Sequence, residues 1–384
     1  MDFEFATAAR IVFGWGQAKN LGAVAASFGK MGLIVTGRSS ERAARCENLL
    51  ASARVKSRAF HLPGEPTVHD VAAALELARR EGCDFVLGLG GGSALDAAKA
   101  VAALLTNPGD LFDYLEVVGR GQPLPQPSAP CLAVPTTAGT GTEVTRNAVL
   151  ASPQHRFKVS LRSPFMLPRL ALVDPELTLD LPPALTASTG MDALTQLIEP
   201  YVSSRANPLT DGFCIEGIGR VARSLLRACQ NGTDNAARTD MSLASLLSGL
   251  ALANAGLGAV HGFAAPLGGM FAAAHGALCA AVLPAAMEIN IRALRARDPD
   301  GQALRRYARV GALLTGRSQA SPEDAVSWTR ELADALEIRG LRGCGVPSSA
   351  FPEVVAKAAK ASSMKANPIV LTPEEMQEIL ERSS

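Results

Sequence analysis

The chain changes its hydrophobic period partway along. In the first half, short continuous apolar runs recur at 32–36, 85–89, 132–135 and 170–173. Between the earlier ones lie stretches with Ala and Leu at three- and four-residue spacing, as over 68–80. Runs of this kind, separated by helices, predict strands of a parallel sheet covered on both faces. Asp174-Pro175-Glu176 and Leu181-Pro182-Pro183 then punctuate the chain. From about Ala184 the β-branched runs vanish and helical periodicity takes over, interrupted near 231–234, 298–301 and 343–349. The pattern predicts an α/β domain over residues 1–180, followed by an all-helical domain over 181–384.

One segment tests that reading. Residues 241–287 hold no Lys, Arg, Asp or Glu, which by length would permit a membrane span. Their Ala, Gly, Ser and Asn content, with Pro266, Pro284 and two histidines, fits closely packed buried helices better, and flanking charge asymmetry is lacking.

Composition narrows the function classes. Apolar residues make up 48% of the chain, enough to offset chain entropy and exclude a disordered tail protein. Net charge is +1, so no one-sign field would gather nucleic acid or an anionic membrane, and 5% aromatics argue against base stacking. The seven cysteines are scattered and form no CxxC pair, which points to a reducing compartment. The N-terminus starts Met-Asp-Phe-Glu-Phe, acidic where a secretory signal is basic. A cytoplasmic location is expected.

Two loops carry candidate chemistry. Gly90-Gly91-Gly92-Ser93 follows the apolar run at 85–89 and precedes a helix-like stretch. Strand, glycine loop and helix N-terminus together receive a phosphate, with glycine admitting a close approach. Ser93 with Asp96 also reads as a capping box for that helix. The segment 135–143, Pro-Thr-Thr-Ala-Gly-Thr-Gly-Thr-Glu, follows the next apolar run and offers hydroxyls to sugar and phosphate oxygens. Loops at successive strand ends of a parallel sheet predict a nucleotide site.

Of five histidines, His261 and His275 lie in the uncharged segment. One buried imidazole is usually a satisfied core residue; two in one apolar segment point to a shared task such as holding a metal. Asp192 supplies a carboxylate, read either as a ligand or as a first-turn acid favoured by the helix dipole. Gln196 falls on the same helical face.

Taken in order, Gly90–Ser93 with Asp96 and Lys99, Pro135-Thr136-Thr137 through Glu143-Val144-Thr145, Gly190-Met191-Asp192-Ala193-Leu194, His261-Gly262, His275-Gly276, Asn367-Pro368 and Leu371-Thr372 resemble the iron-containing (group III) alcohol dehydrogenase family over nearly the whole chain. The resemblance implies a Rossmann-like nucleotide-binding domain, a helical metal-binding domain, and a metal and nicotinamide in the cleft between them. It makes Gly90, Gly91, Gly92 and Ser93 the pyrophosphate loop, and places Thr136, Thr137 and Thr140 along the nicotinamide. Lys158 resembles the family lysine near the cofactor ribose and phosphate, and Leu177 lies in a segment that packs the nucleotide. Asp192, His261 and His275 match three metal ligands and would act in catalysis through Fe²⁺ or Zn²⁺.

Two departures follow from the same resemblance. The family usually has His where this chain has Gln196, a weaker partner for the ion. A second common His is replaced by Ala265, leaving a proton to move through water or a ribose hydroxyl. The implied reaction is hydride transfer between NAD or NADP and an alcohol or aldehyde carbon, in a homodimer or larger homo-oligomer, with no nucleic-acid or membrane partner. Competing readings are a metal-independent reductase on the same scaffold, a dehydroquinate-synthase-like lyase, and a catalytically inactive nucleotide-binding protein.

Cofactor choice is read from 33–40. NAD-preferring family members resemble Val-Thr-Asp at the end of this strand; here Gly37 stands at the Asp position, followed by Arg38-Ser39-Ser40. Losing the carboxylate removes repulsion of a 2′-phosphate, and Arg38 with Ser39 offers it a charge-assisted site. NADP(H) is expected to serve at least as well as NAD(H). The competing reading is an exposed arginine with Ser40 as the cap of the next helix.

Overall fold

The computed structural model describes residues 2–155, 157–271 and 273–384. The chain divides into two compact units. One comprises Ala6–Thr137 and Gly141–Leu179; the other comprises Asp180–Ser384, Ala138–Thr140 and the N-terminal stub ending at Phe5.

The first unit is built on a parallel sheet. Its strands are β1 (Ile11–Phe13), β2 (Met31–Thr36), β3 (Lys56–His61), β4 (Phe85–Gly90), β5 (Cys131–Pro135) and β8 (Leu170–Val173). They run in the order β1-β8-β5-β4-β2-β3. Strands β6 (Asn147–Ser152) and β7 (Phe157–Arg162) form a separate antiparallel pair. The strands expected from continuous apolar runs are the central ones: every residue of β4, β5 and β8 is buried. Strand β3, Lys-Ser-Arg-Ala-Phe-His, was not expected, because an edge strand need bury little and its sequence is half polar.

The helix predicted over 68–80 spans Val68–Arg80 and is closed by a Thr67–Asp70 capping box. The helix after β4 runs Gly92–Thr106 and lies tight on the sheet. A Cβ on Gly88 would meet Ala98 and Leu95 at 2.9 Å, so glycine sets that spacing and with it the seat of the loop at the strand end.

From Pro183 onward, the regular structure of the second unit is helical among the described residues. Pro183–Val202, Pro208–Gln230, Asn235–Ala255, Ala259–Met270, His275–Arg297, Gln302–Thr315 and Pro322–Ala335 are followed by Phe351–Ala358 and Pro373–Arg382. The uncharged segment forms three of these helices. Asn235–Ala255 and Ala259–Met270 meet at a 99° bend, where Gly256 takes a φ of +73°. His275–Arg297 is long and apolar enough to cross a bilayer, but 78% of its apolar window is buried within the fold. It packs against Pro183–Val202, Ala259–Met270 and Pro322–Ala335 as a core helix.

Candidate functional site

In the sheet-based unit, β4 ends at Gly90, whose carbonyl accepts the Thr136 N–H at 2.9 Å, tying the glycine loop to the threonine loop. A Cβ on Gly91 would meet the Thr137 methyl at 3.2 Å, so a side chain there would fill the cradle. Gly91 is the cap residue of the following helix, and no side chain caps it. The expected Ser93–Asp96 capping box is therefore not formed. Asp96 is taken by distant groups: Oδ1 accepts from Thr142 Oγ1 at 2.5 Å and Oδ2 from the Val149 N–H at 3.0 Å. An uncapped helix N-terminus beside a glycine cradle keeps its N–H groups for an anion.

Lys99 holds the threonine loop from behind. Its ammonium is buried and donates to the Thr142 carbonyl at 3.0 Å, Thr142 Oγ1 at 2.6 Å and Thr145 Oγ1 at 3.0 Å, and also to the Asn147 carbonyl. Burial pushes the neighbouring Glu143 carboxyl up to about 7, against the pull of Lys99.

The other residues expected at the nucleotide are placed as follows. Thr136 is buried, and its hydroxyl accepts from the Arg42 guanidinium at 3.3 Å. Arg42 was not singled out by the sequence; it lies one turn into the Ser40–Ser52 helix, and a lone arginine there looks like any exposed charge. Ser39, rather than Ser40, caps that helix by accepting the Arg42 N–H. The Arg38 Nε donates to the Pro63 carbonyl at 2.6 Å, and the Gly37 carbonyl lies 3.0 Å from His61 Nδ1. Leu177 lines an apolar concavity with Leu21, Cys46, Leu89 and Val134, rimmed by Arg42. Lys158 pairs with Glu65 at 2.8 Å. Thr140 belongs with the helical unit.

The helical unit brings together the second group. Asp192 is not at a helix start; it sits in the third turn of Pro183–Val202 and is buried. His261 opens the Ala259–Met270 helix, and His275 opens His275–Arg297. The two imidazole rings lie 5.5 Å apart, centre to centre. Asp192 Oδ1 is 3.5 Å from His261 Nε2 and 3.7 Å from His275 Nε2. Cys279, one turn after His275, joins them: its Sγ is 3.6 Å from His275 Nε2 and 3.9 Å from His261 Nε2. All four ligand atoms fall within 4.8 Å of one another.

The chemistry of this donor set calls for a cation. Asp192 Oδ1 is buried with no hydrogen-bond partner, which is costly unless a positive group satisfies it. Burial would raise the Asp192 carboxyl, but His275, His261 and Cys279 outweigh it and hold it below the ordinary range. Burial would likewise lower His261, yet Cys279, Glu199 and Asp192 push it well above the usual imidazole value. His275 is raised chiefly by Cys279. The cluster stabilises positive charge, and the residues present fit a divalent ion.

Glu199 orients the cluster and was missed by the sequence reading, although it lies seven residues after Asp192 on the same face. Its Oε2 is 2.6 Å from His261 Nδ1, and its Oε1 accepts the Val260 N–H at 2.7 Å. Nδ1 thus donates to Glu199, which leaves Nε2 as the ring nitrogen that faces the cluster and from which an ion would displace a proton. A Cβ on Gly258 would come within 2.9 Å of Glu199 Oε1, so glycine permits this approach. Gln196 also lines the cluster: its Nε2 donates to Asp192 Oδ2 at 3.1 Å and its Oε1 accepts from Ser248 Oγ at 2.9 Å.

Comparison with known proteins agrees across both units. Residues 8–175 match the family model described as iron-containing alcohol dehydrogenase, and residues 186–384 match the model of that family's C-terminal part. A long-chain-alcohol dehydrogenase from Geobacillus thermodenitrificans is 35% identical over 397 aligned positions, covering 97% of this chain and 96% of that protein. A 1,3-propanediol dehydrogenase from Klebsiella pneumoniae is 38% identical, covering 79% of this chain and 77% of its own. Among solved structures, a 1,3-propanediol oxidoreductase superposes with a TM-score of 0.92 at 32% identity, with 100% of both chains covered.

Proposed function

Since the chain belongs to the iron-containing alcohol dehydrogenase family and is an NAD(P)-dependent, metal-assisted alcohol/aldehyde oxidoreductase, we propose that Asp192, His261 and His275 hold its divalent ion and that the loops at Gly90–Ser93 and Thr136–Thr140 hold its nucleotide. The observation that carries the reading is the unpartnered Asp192 Oδ1, buried between two imidazoles. Fe²⁺ and Zn²⁺ both suit carboxylate and imidazole donors. When bound, the nicotinamide would supply or accept the hydride, and an ion held by Asp192, His261 and His275 would supply Lewis-acid polarisation of an alcohol or aldehyde oxygen.

The chain's own part is orientation. Glu199 fixes the His261 tautomer, and Gln196 holds the second oxygen of Asp192. Gly91 leaves room for the pyrophosphate, Lys99 anchors the loop that carries the threonine hydroxyls, and Arg42 fixes the Thr136 hydroxyl. Leu177 and its apolar neighbours suit the flat face of an adenine. Gly37 leaves no carboxylate at the end of β2 to repel a 2′-phosphate, so NADP(H) serves at least as well as NAD(H). The enzyme works in the cytoplasm as a homodimer or larger homo-oligomer on small alcohols and aldehydes.

The test is turnover of a panel of small aldehydes with NADH and NADPH, before and after chelation, with metal analysis of the purified protein. His261→Ala is expected to abolish turnover while nucleotide binding survives. Full activity in a metal-free preparation, or in that variant, refutes the assigned ion site and favours a metal-independent reductase.

A further inference from the structure

We propose that Cys279 is the fourth ligand of this centre, as a thiolate, and that Gln196 is a positioning residue which does not touch the ion. The inference rests on the ion site proposed above and deepens it. Its first support is distance. In a tetrahedral site with bonds of about 2.0–2.1 Å to N and O and about 2.3 Å to S, neighbouring ligand atoms lie about 3.4–3.6 Å apart. The Asp192 to His261 and His275 separations are 3.5 and 3.7 Å, and the Cys279 separations from His275 and His261 are 3.6 and 3.9 Å. Four edges of the polyhedron are therefore already near their final lengths, and small side-chain shifts close the rest.

The second support is the unpartnered, buried Asp192 Oδ1 on the same four-atom cluster. A buried thiol alone would be an inert small core group, but this one faces two imidazole nitrogens and a carboxylate oxygen, Asp192 Oδ1, that accepts no hydrogen bond. The third is the state of Gln196. Both of its polar atoms are committed, the amide nitrogen to Asp192 Oδ2 and the oxygen to Ser248, so ligation would break two buried hydrogen bonds. The side chain instead clamps the carboxylate so that Oδ1 faces the cluster.

Local sequence explains the placement. His275 and Cys279 are four apart at the start of one helix, so they share a face. Gly276 between them lets that helix approach the Asp192 helix, since a Cβ there would stand 2.4 Å from the Ser188 carbonyl oxygen. The chemical consequence is a softer centre with two anionic ligands. Carboxylate plus thiolate neutralise a divalent ion, and a thiolate shifts preference towards Zn²⁺ over oxygen-loving cations.

Cobalt substitution tests this directly. Metal-free protein is titrated with Co²⁺ and read by absorption, with bound metal counted by mass spectrometry. The parent is expected to show an intense near-ultraviolet thiolate-to-cobalt charge-transfer band alongside the weaker visible d–d bands. Cys279→Ser is expected to keep visible bands, lose the charge-transfer band and bind Co²⁺ at least tenfold more weakly in chelator competition; Cys279→Ala serves if the serine variant does not fold. Gln196→Ala is expected to keep the band, with affinity down about tenfold, the scale of an outer-shell loss. Cobalt bound by the parent without the charge-transfer band, or a band that survives in Cys279→Ser, overturns the thiolate assignment alone. Loss of the visible spectrum in Gln196→Ala to the extent seen in His261→Ala overturns the positioning role. A parent that takes up no Co²⁺ or Zn²⁺ overturns the ion site itself, and this inference with it.

Discussion

Replacing Lys99 by methionine should uncouple the threonine loop from the helix that follows β4. The ammonium is fully buried and lies among the Thr142 carbonyl and hydroxyl, the Thr145 hydroxyl, the Asn147 carbonyl and, at 3.1 Å, the Asp96 carboxylate. Methionine keeps the apolar stem and supplies no donor. Each acceptor left without a partner costs about 1–3 kcal/mol, and Asp96, with 13% of its side chain exposed, loses its counter-charge. Against this, the variant no longer desolvates an ammonium, a saving of several kcal/mol. Breaking a buried pair from one side leaves a net cost of about 3–5 kcal/mol. For a unit of this size that is a fall in Tm of roughly 6–20 °C. Denaturant unfolding and calorimetry read the loss, and nucleotide fluorescence titration should show weaker binding because the Thr136–Thr145 segment is no longer held. Adding Asp96→Asn removes the stranded carboxylate, so the double variant should cost less than the two single ones summed. A Lys99→Met protein within about 1 kcal/mol of the parent, or costs that simply add, would refute the argument that this ammonium carries the loop.

Gly37→Asp should move the kcat/KM ratio towards NAD(H) by about tenfold, the effect of roughly 1.4 kcal/mol of repulsion. An added Cβ there meets nothing within 4 Å, so a misfolded variant is not the expected outcome, and an unchanged ratio would show that this loop does not set cofactor choice. Glu143→Gln should flatten the pH dependence of stability. The folded carboxyl titrates near 7 rather than 4.5, so the parent loses roughly 3 kcal/mol as pH rises from about 4.5 through 7. The advantage of the glutamine variant should therefore grow between pH 5 and pH 8 in urea melts; a constant difference would place the Glu143 carboxyl in a more polar setting. Gly276→Ala should cost about 1–3 kcal/mol by overpacking and weaken metal binding in chelator competition, because the helix carrying His275 must retreat from Ser188. Intact affinity would mean that the close approach is not needed.

Local order and residue type determined much of this protein. The central strands were legible because β4, β5 and β8 are buried on both faces and so must be apolar throughout. The glycine loop was legible because a strand, a run of glycines and a helix start are consecutive in the chain. Asp192, His261 and His275 stood out because polar groups are costly in an apolar segment unless they share a task. Tertiary structure decided what depends on partners far along the chain. Asp96 leaves the capping box that its spacing suggested because the helix is capped at Gly91 rather than at Ser93, and its carboxylate is taken by Thr142 and Val149, far along the chain. Gln196 turns on Ser248, 52 residues away, and Glu199 on His261, 62 residues away. Cys279 carried a signal in its four-residue spacing from His275, but among alanines a lone cysteine reads as a small core residue. Only the packing of three helices shows which way its sulfur faces. Spacing along one helix specifies a face, whereas the group opposite that face is set by how helices distant in sequence come together.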